Sequence, residues 1–294
     1  MKVLILGYGY IGFQIATRYA SSYDDVYIVD SEPDHNKNKW AAENLFEIYR
    51  RDIFNTKDLL KDADIIYNTV SVTSVPRTKE ESTPEIDEKI YRIGTEGNRY
   101  VLEHMNKGSK LCLLSTHVVF EGYENIFSID ENTPVNPVLS YGKSKVQSEI
   151  DIKNAGINYL ICRLASVYGH NMALRKNIVA NILSMKAALD KKISISSPHR
   201  FKPLIGIGDV ARAIVYLAEE SYNKETFHLV NEHKRVGELA AICKEIVPEL
   251  EINVDTTNTN SGYTLNNSKL LKTGFKFKEN IREEIRKMIE WWGK

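Results

Sequence analysis

Three side chains in this sequence have the types and spacing to move a proton next to a redox centre: Thr116, Tyr141 and Lys145, the last two within Tyr141-Gly142-Lys143-Ser144-Lys145. Residues four apart share one face of a helix, which brings the Lys145 ammonium near the Tyr141 hydroxyl. A free phenol titrates near pH 10, and a neighbouring cation favours its phenolate, moving it towards a useful range for acid/base work. Among 16 tyrosines, Tyr141 alone has a lysine four residues on. Thr116 follows the apolar run Leu111 to Ser115, which ends at the sheet edge where ligands of α/β folds bind, so its hydroxyl can orient a substrate carbinol or carbonyl. The chemistry implied is hydride transfer to or from a nicotinamide, with the tyrosine moving the proton.

A phosphate cradle stands at the other end of the same half. Gly7-Tyr8-Gly9-Tyr10-Ile11-Gly12 follows a first apolar run and opens a helical pattern. In that context Gly7 permits a tight turn, Gly9 lets backbone N–H groups approach a pyrophosphate, and Gly12 allows close helix–strand packing. Asp30 ends the second apolar run, where a carboxylate accepts hydrogen bonds from an adenosine ribose and repels a 2′-phosphate, which favours NAD over NADP. Asp30 alternatively caps the following turn, and His35, Lys37 and Lys39 offset part of the repulsion, leaving NADP possible. Asp52 either touches the adenine or caps the helix near Thr56.

The elements that must position these groups alternate in type. Lys2–Leu6, Val26–Asp30, Phe46–Tyr49, Ile65–Val70, Leu111–Ser115 and Tyr159–Leu164 read as buried strands. Ile11–Ala20, Thr56–Lys61, Ile86–Asn106 and Tyr141–Asn154 carry apolar residues at helical spacing. This is an α/β pattern, a Rossmann-type doubly wound parallel sheet, with a smaller C-terminal α/β substrate lobe. The expected domains are 1–166 for the NAD(P)-binding part and 167–294 for the lobe, with returns of chain to the first domain allowed. In the lobe, 175–191, Asp209–Glu219 with Asp209 as N-cap, Gly237–Ile246 and Asn280–Trp292 read as helices. Ile193–Ile195 and Phe227–Val230 read as short strands, and Asp255–Gly262 as a loop.

Composition removes other classes. With 294 residues and 43% apolar content the chain can bury a sizeable core. Lys+Arg and Asp+Glu balance at 39 each, so no global field draws nucleic acid or an anionic membrane. No stretch reaches the roughly 18 apolar residues of a membrane span, and the first run is too short for a signal peptide. Cys112, Cys162 and Cys243 are far apart and read as free thiols of a cytoplasmic protein. The seven histidines show no ligand spacing, so no metal is expected, and no G-x-S-x-G elbow marks a nucleophilic serine.

Longer segments resemble the extended branch of the short-chain dehydrogenase/reductase superfamily, the NAD-dependent epimerase/dehydratase family. Leu114-Ser-Thr-His-Val-Val-Phe-Glu-Gly122, Asp130-Glu-Asn-Thr-Pro134 and Asn136-Pro-Val-Leu-Ser-Tyr-Gly-Lys-Ser-Lys145 are similar to the dTDP-4-dehydrorhamnose reductase family within it. Arg163–Gly169, Lys202–Ala211, Leu265–Leu271 and Gly274-Phe275 match further segments of that pattern. The resemblance implies Tyr141 as acid/base, Lys145 on the nicotinamide ribose, and Thr116 on the reacting oxygen. It implies a cofactor, NAD with NADP possible, held by Gly7, Gly9, Tyr10, Ile11, Gly12, Asp30, Asp52, Thr69, Val70 and Ser71. It further implies a nucleotide-sugar substrate between the lobes, met by Thr116, His117, Arg175, Asn177, Arg200 and Lys202, and a homodimer.

Departures from the pattern narrow the chemistry. The glycine turn is one residue shorter than the extended branch's, Leu6 replaces its threonine, and Gly94 stands where an asparagine is common. His117-Val118 replaces the acidic pair with which sugar 4,6-dehydratases remove water, so dehydration is not expected. Reduction of a 4-keto sugar and epimerisation at C4 through a transient keto sugar both remain, as does a catalytically idle NAD-binding regulatory or scaffold subunit. The intact Thr116, Tyr141 and Lys145 argue against the idle reading.

Overall fold

A computed structural model describes every residue except 21, 23, 73, 74, 77–79, 221, 258 and 259. The first half alternates strand and helix, with two successive helices before its last strand: β1 (Lys2–Leu6), α1 (Tyr10–Tyr19), β2 (Asp25–Asp30), α2 (His35–Glu43), β3 (Glu47–Arg50), α3 (Lys57–Asp62), β4 (Ile65–Asn68), α4 (Pro84–Tyr91), α5 (Gly97–His104) and β5 (Lys110–Thr116). There follow β6 (Ile126–Ile129), α6 (Ser140–Asn154), β7 (Asn158–Leu164), β8 (Ser166–Tyr168), α7 (Val179–Leu189), β9 (Lys192–Ser196), β10 (Phe201–Gly206) and α8 (Ile207–Glu219). The chain closes with β11 (Glu225–Leu229), β12 (Glu232–Arg235), α9 (Val236–Ile246), β13 (Glu251–Asp255), β14 (Tyr263–Leu265), α10 (Ser268–Lys272) and α11 (Ile281–Trp292).

Two compact units result. The first comprises Met1–Gly122, Val135–Arg163 and Ala211–Phe227; the second comprises Tyr123–Pro134, Leu164–Val210 and His228–Lys294. In the first, a seven-stranded sheet has the order β11-β7-β5-β4-β1-β2-β3, and the pairings from β3 through β5 are parallel. The order reverses between β1 and β4, which is the switch point at which open α/β sheets bind ligands. Leu4, Leu6, Ile66, Leu111, Leu113 and Ile161 form the core of this unit with Leu60, Val101 and Ile152 from α3, α5 and α6. The second unit has its own core, in which Leu183, Leu239, Ile285 and Met288 from α7, α9 and α11 pack with Leu204 of β10.

Several elements differ from the periodicity. Six strands were expected in the large sheet and it has seven: Glu225–Leu229, read from sequence as a short strand of the smaller lobe at Phe227–Val230, pairs beside β7 instead. The expected helix Ile86–Asn106 is interrupted by a π-helical turn at Arg92–Glu96. The helix expected at 175–191 begins only at Val179, so Arg175 and Asn177 lie in the preceding loop. Asp209 is not the N-cap of α8, which starts at Ile207; its carboxylate instead accepts from the backbone N–H groups of Lys278 and Glu279. Helix α2 escapes the apolar pattern because its sequence is polar; Asp34 caps it by accepting from Asn36 N and Lys37 N at 2.9 and 3.2 Å. Of the loop expected at Asp255–Gly262, Asp255 ends β13, while Asn258 and Thr259 lie outside the described residues.

Candidate active site

Four strand ends bring the expected residues of the first unit to one edge of the sheet. Because β1, β2, β4 and β5 run parallel, Gly7, Asp30, Thr69 and Thr116 all emerge at their carboxyl ends. Gly7 has φ +91°, a left-handed conformation that favours glycine, and a Cβ there would lie 2.8 Å from Thr69 Oγ1. At Gly12 a Cβ would meet Gly7 O at 1.9 Å, so α1 packs on the strand only because that atom is missing. The Thr69 hydroxyl lies 2.9 Å from both the Leu6 and the Gly7 carbonyl oxygen and ties β4 to the turn. Val70 N donates to Asn68 Oδ1 at 3.3 Å, and Ser71 is half-buried beside it.

Gly9 differs from its neighbours. It is the N-cap of α1, no side chain caps the helix there, and the first turn carries no acidic residue. A Cβ on Gly9 would meet nothing within 4 Å. The start of α1 thus carries no side-chain cap and has open space beside Gly9, an arrangement with room for an anion such as a pyrophosphate. Tyr10, buried, and Ile11, half-buried, occupy the first turn itself. Asp30 accepts from Tyr8 N at 2.7 Å through one carboxylate oxygen and from Glu32 N at 2.9 Å through the other. Each oxygen keeps a lone pair for ribose hydroxyls, so the residues fit a nicotinamide dinucleotide. Asp52 accepts from Phe54 N at 3.1 Å and caps the short 3₁₀ turn Ile53–Asn55, whereas the helix that begins at Lys57 has Thr56 as its N-cap.

Lys37 is buried beneath this turn. Its ammonium donates to Tyr8 O and sits 5.1 Å from the centroid of the Tyr8 ring. Burial pushes the Lys37 amine below its usual value, against the pull of Asp30 and Asp34.

The catalytic candidates are held by α6 and by the segment after β5. Lys145 is 4% exposed, and its ammonium lies 5.9 Å from the centroid of the Tyr141 ring. Thr116, buried at the end of β5, accepts from Val118 N at 3.3 Å and caps a 3₁₀ turn, His117–Phe120, of which His117 is the half-buried first residue. That turn is laced to the start of α6. Glu121 Oε1 accepts from Val138 N and Leu139 N at 2.9 and 2.6 Å, and Gly122 N donates to Asn136 O at 2.9 Å. A Cβ at Gly142 would meet Val118 O at 3.1 Å, so glycine lets Tyr141's helix approach the Thr116 turn closely. Glu121 and Gly142 are positioning residues that the sequence motifs contain but that i, i+4 reasoning alone does not single out.

Beneath them lies a buried ionic cluster. Arg163 Nη2 and Nε donate to Glu149 at 2.7 and 3.0 Å, Ser115 Oγ donates to Glu149 Oε1 at 2.6 Å, and both charged side chains are 3% exposed. Burial pushes the Glu149 carboxyl up, but the bonds from Arg163 and Ser115 outweigh it and hold the group below its ordinary value. Glu149 stands four residues after Lys145 on the same helix face, so the cluster anchors the Tyr141–Lys145 face of α6 to β5 and β7.

The remaining candidates belong to the second unit. Arg175 Nε donates to Asn177 Oδ1 at 2.9 Å in the loop before α7. Lys202 lies in β10 opposite Lys234 of β12, and Arg200, just before β10, accepts from Val236 N through its carbonyl at 3.1 Å. Arg175 and Asn177 are thus hydrogen-bonded to each other, while Arg200 and Lys202 stand two residues apart at the start of β10. Among the described residues there is no group of three His, Cys, Asp or Glu placed to hold a metal ion, and no helix long and apolar enough to cross a membrane.

Known proteins share both the architecture and the sequence pattern. A putative UDP-glucose 4-epimerase from Methanocaldococcus jannaschii is 28% identical over 304 aligned positions, spanning 97% of this chain and 96% of that protein. The fold is that of the UDP-glucose 4-epimerase of Thermotoga maritima solved with UDP-glucose, at a TM-score of 0.84 and 19% identity over 99% and 98% of the two chains. The UDP-glucuronic acid 4-epimerase of Bacillus cereus, solved with UDP-glucuronic acid and NAD, superposes equally well, with a TM-score of 0.84 and 20% identity over 99% of each chain. The model of the NAD-dependent epimerase/dehydratase family matches residues 3–231, a span that takes in the glycine turn, Asp30, Thr116, Tyr141 and Lys145. With that span and this sheet order together, the chain belongs to the NAD-dependent epimerase/dehydratase family.

Proposed function

We propose that this protein epimerises a nucleotide sugar at C4 with a retained NAD. The observation that carries the reading is the pairing of Tyr141 with the buried Lys145 on α6, on a sheet whose switch point carries an uncapped helix start and the Asp30 carboxylate. Bound NAD supplies a hydride acceptor that becomes the donor in the return step. Tyr141 takes the C4 hydroxyl proton as the C4–H bond releases its hydride, leaving a ketone. The keto sugar turns its other face, and Tyr141 returns the proton to oxygen as hydride comes back to carbon, so electrons and protons balance within one turnover. Thr116 donates a hydrogen bond to the reacting oxygen, where negative charge develops during reduction. Lys145 holds positive charge beside Tyr141, stabilising the phenolate that accepts the proton in the first half-reaction and is regenerated when the second returns it.

The full-length likeness to a putative UDP-glucose 4-epimerase and the ribose-binding geometry of Asp30 favour epimerisation. The run Ser115-Thr-His-Val-Val-Phe-Glu-Gly122 favours a second reading, net reduction of a 4-keto nucleotide sugar. One experiment separates them. Purified protein is incubated with UDP- and dTDP-hexoses and with a 4-keto dTDP-sugar, while NADH absorbance and product stereochemistry are followed. Epimerisation gives a C4 epimer with no net NADH change; stoichiometric NADH consumption with the keto sugar alone overturns it in favour of reduction.

A further inference from the structure

Helix α6 presents two adjacent rows of side chains to its surroundings. Tyr141, Lys145 and Glu149 form one row, and Ser144 and Ser148, each one residue earlier than Lys145 and Glu149, form the next, about 100° round the helix. The first row is anchored at Glu149 by Ser115 and Arg163. The second row lies against the π-helical turn Arg92–Glu96, a geometry that is rare and usually marks a functional position.

The contact there is unusually close. A Cβ on Gly94 would lie 2.4 Å from Ser144 Oγ. The Ser144 hydroxyl is 2.9 Å from Thr95 Oγ1, and both residues are buried. Ser148 Oγ donates to Gly94 O at 3.0 Å, one turn along the same row. Three hydroxyls and a missing Cβ thus tie α6 to the π-turn, and the atom a Cβ on Gly94 would meet is the Ser144 hydroxyl itself, held by its bond to Thr95.

We infer that Gly94, Thr95 and Ser144 are positioning residues for the reaction: the seam sets the roll of α6 about its own axis and thereby the placement of Tyr141 and Lys145, together, against the Thr116 turn. The inference rests on the reading of Tyr141 and Lys145 given under the proposed function. A roll of α6 by a few degrees leaves the glycine turn and Asp30 untouched, because neither contacts α6 through this seam. It moves the phenol and the Lys145 ammonium together relative to Thr116 at the end of β5. Loss of the seam therefore acts more on turnover than on cofactor affinity, since the glycine turn and Asp30 keep their geometry.

The test compares Gly94→Ala, Ser144→Ala and the double variant. Gly94→Ala is expected to lower kcat by about tenfold or more, with KM and NAD affinity held within about twofold. Ser144→Ala removes the clashing oxygen, and Ser144 Cβ lies 3.6 Å from the position of a Cβ on Gly94, an ordinary contact. The double variant is therefore expected to recover kcat to the level of Ser144→Ala. Thermal unfolding, measured without substrate, should show the same non-additivity. Wild-type kcat in Gly94→Ala, or additive effects of the two substitutions on kcat and on Tm, overturns the inference. A Tyr141→Phe variant as active as the wild type overturns the proposed function instead, and the thermal cycle alone then decides whether the seam is close-packed.

Discussion

Glu149 carries more of the site's geometry than its place outside the Tyr-x-x-x-Lys motif suggests. It is the buried acceptor for Arg163 and Ser115, and removing one member of such a pair leaves an uncompensated charge in the interior. Glu149→Gln is expected to destabilise the protein by about 3 kcal/mol, measured by chemical unfolding, whereas replacing exposed pairs such as Lys192–Glu251 should cost under about 1 kcal/mol. The pH dependence follows in sign. The folded carboxyl is held below its unfolded value, so its contribution is full above the unfolded carboxylate range and is lost as pH falls through the lower folded value. Tyr141 and Lys145 were legible because their relation is local, four residues on one helix. Glu149, Arg163 and Ser115 are linked across three elements, and a single sequence does not display that. Gly94 was visible only as a departure from the family pattern; its reason is the Ser144 hydroxyl, which an asparagine Cβ would meet at 2.4 Å.

At the scale of elements, six strands of the large sheet, β1 to β5 and β7, were legible because strands of a covered parallel sheet read as continuous apolar runs. The seventh, β11, was visible as a strand but not as a member of the large sheet, since pairing between distant segments leaves no local trace. The π-turn was hidden because its apolar spacing matches that of the flanking helices. The glycine turn supports a sharper prediction. Gly9 has φ −81° and open space where a Cβ would stand, so Gly9→Ala should leave Tm within about 2 °C. It places a methyl at the start of α1, where a pyrophosphate would approach, and NAD affinity measured by calorimetry should fall by about tenfold. Gly12→Ala, with Gly7 O at 1.9 Å, should instead impair folding itself. Equal NAD affinity in Gly9→Ala would remove the pyrophosphate from this turn.

Across the whole molecule, the two units carry separate cores and separate responses to conditions. In the second unit, His233 accepts from Leu265 N at 3.0 Å through Nε2, and burial pushes its imidazole down to about 4. The unfolded chain binds a proton here near pH 6.5 while the folded unit does not, so stability rises with pH across this window. Cooling of Tm as pH falls from about 6.5 to about 4 should be shallower in His233→Gln, measured by scanning fluorimetry. In the first unit, NAD at a hundredfold excess over its Kd should add about 2.7 kcal/mol of stability. The most direct test of the account is the conversion of a UDP-hexose to its C4 epimer, followed by proton NMR, in the wild type and in Tyr141→Phe with NAD affinity measured alongside. The account predicts a fall in kcat of about a hundredfold or more with NAD affinity within about twofold; undiminished conversion in Tyr141→Phe would contradict it.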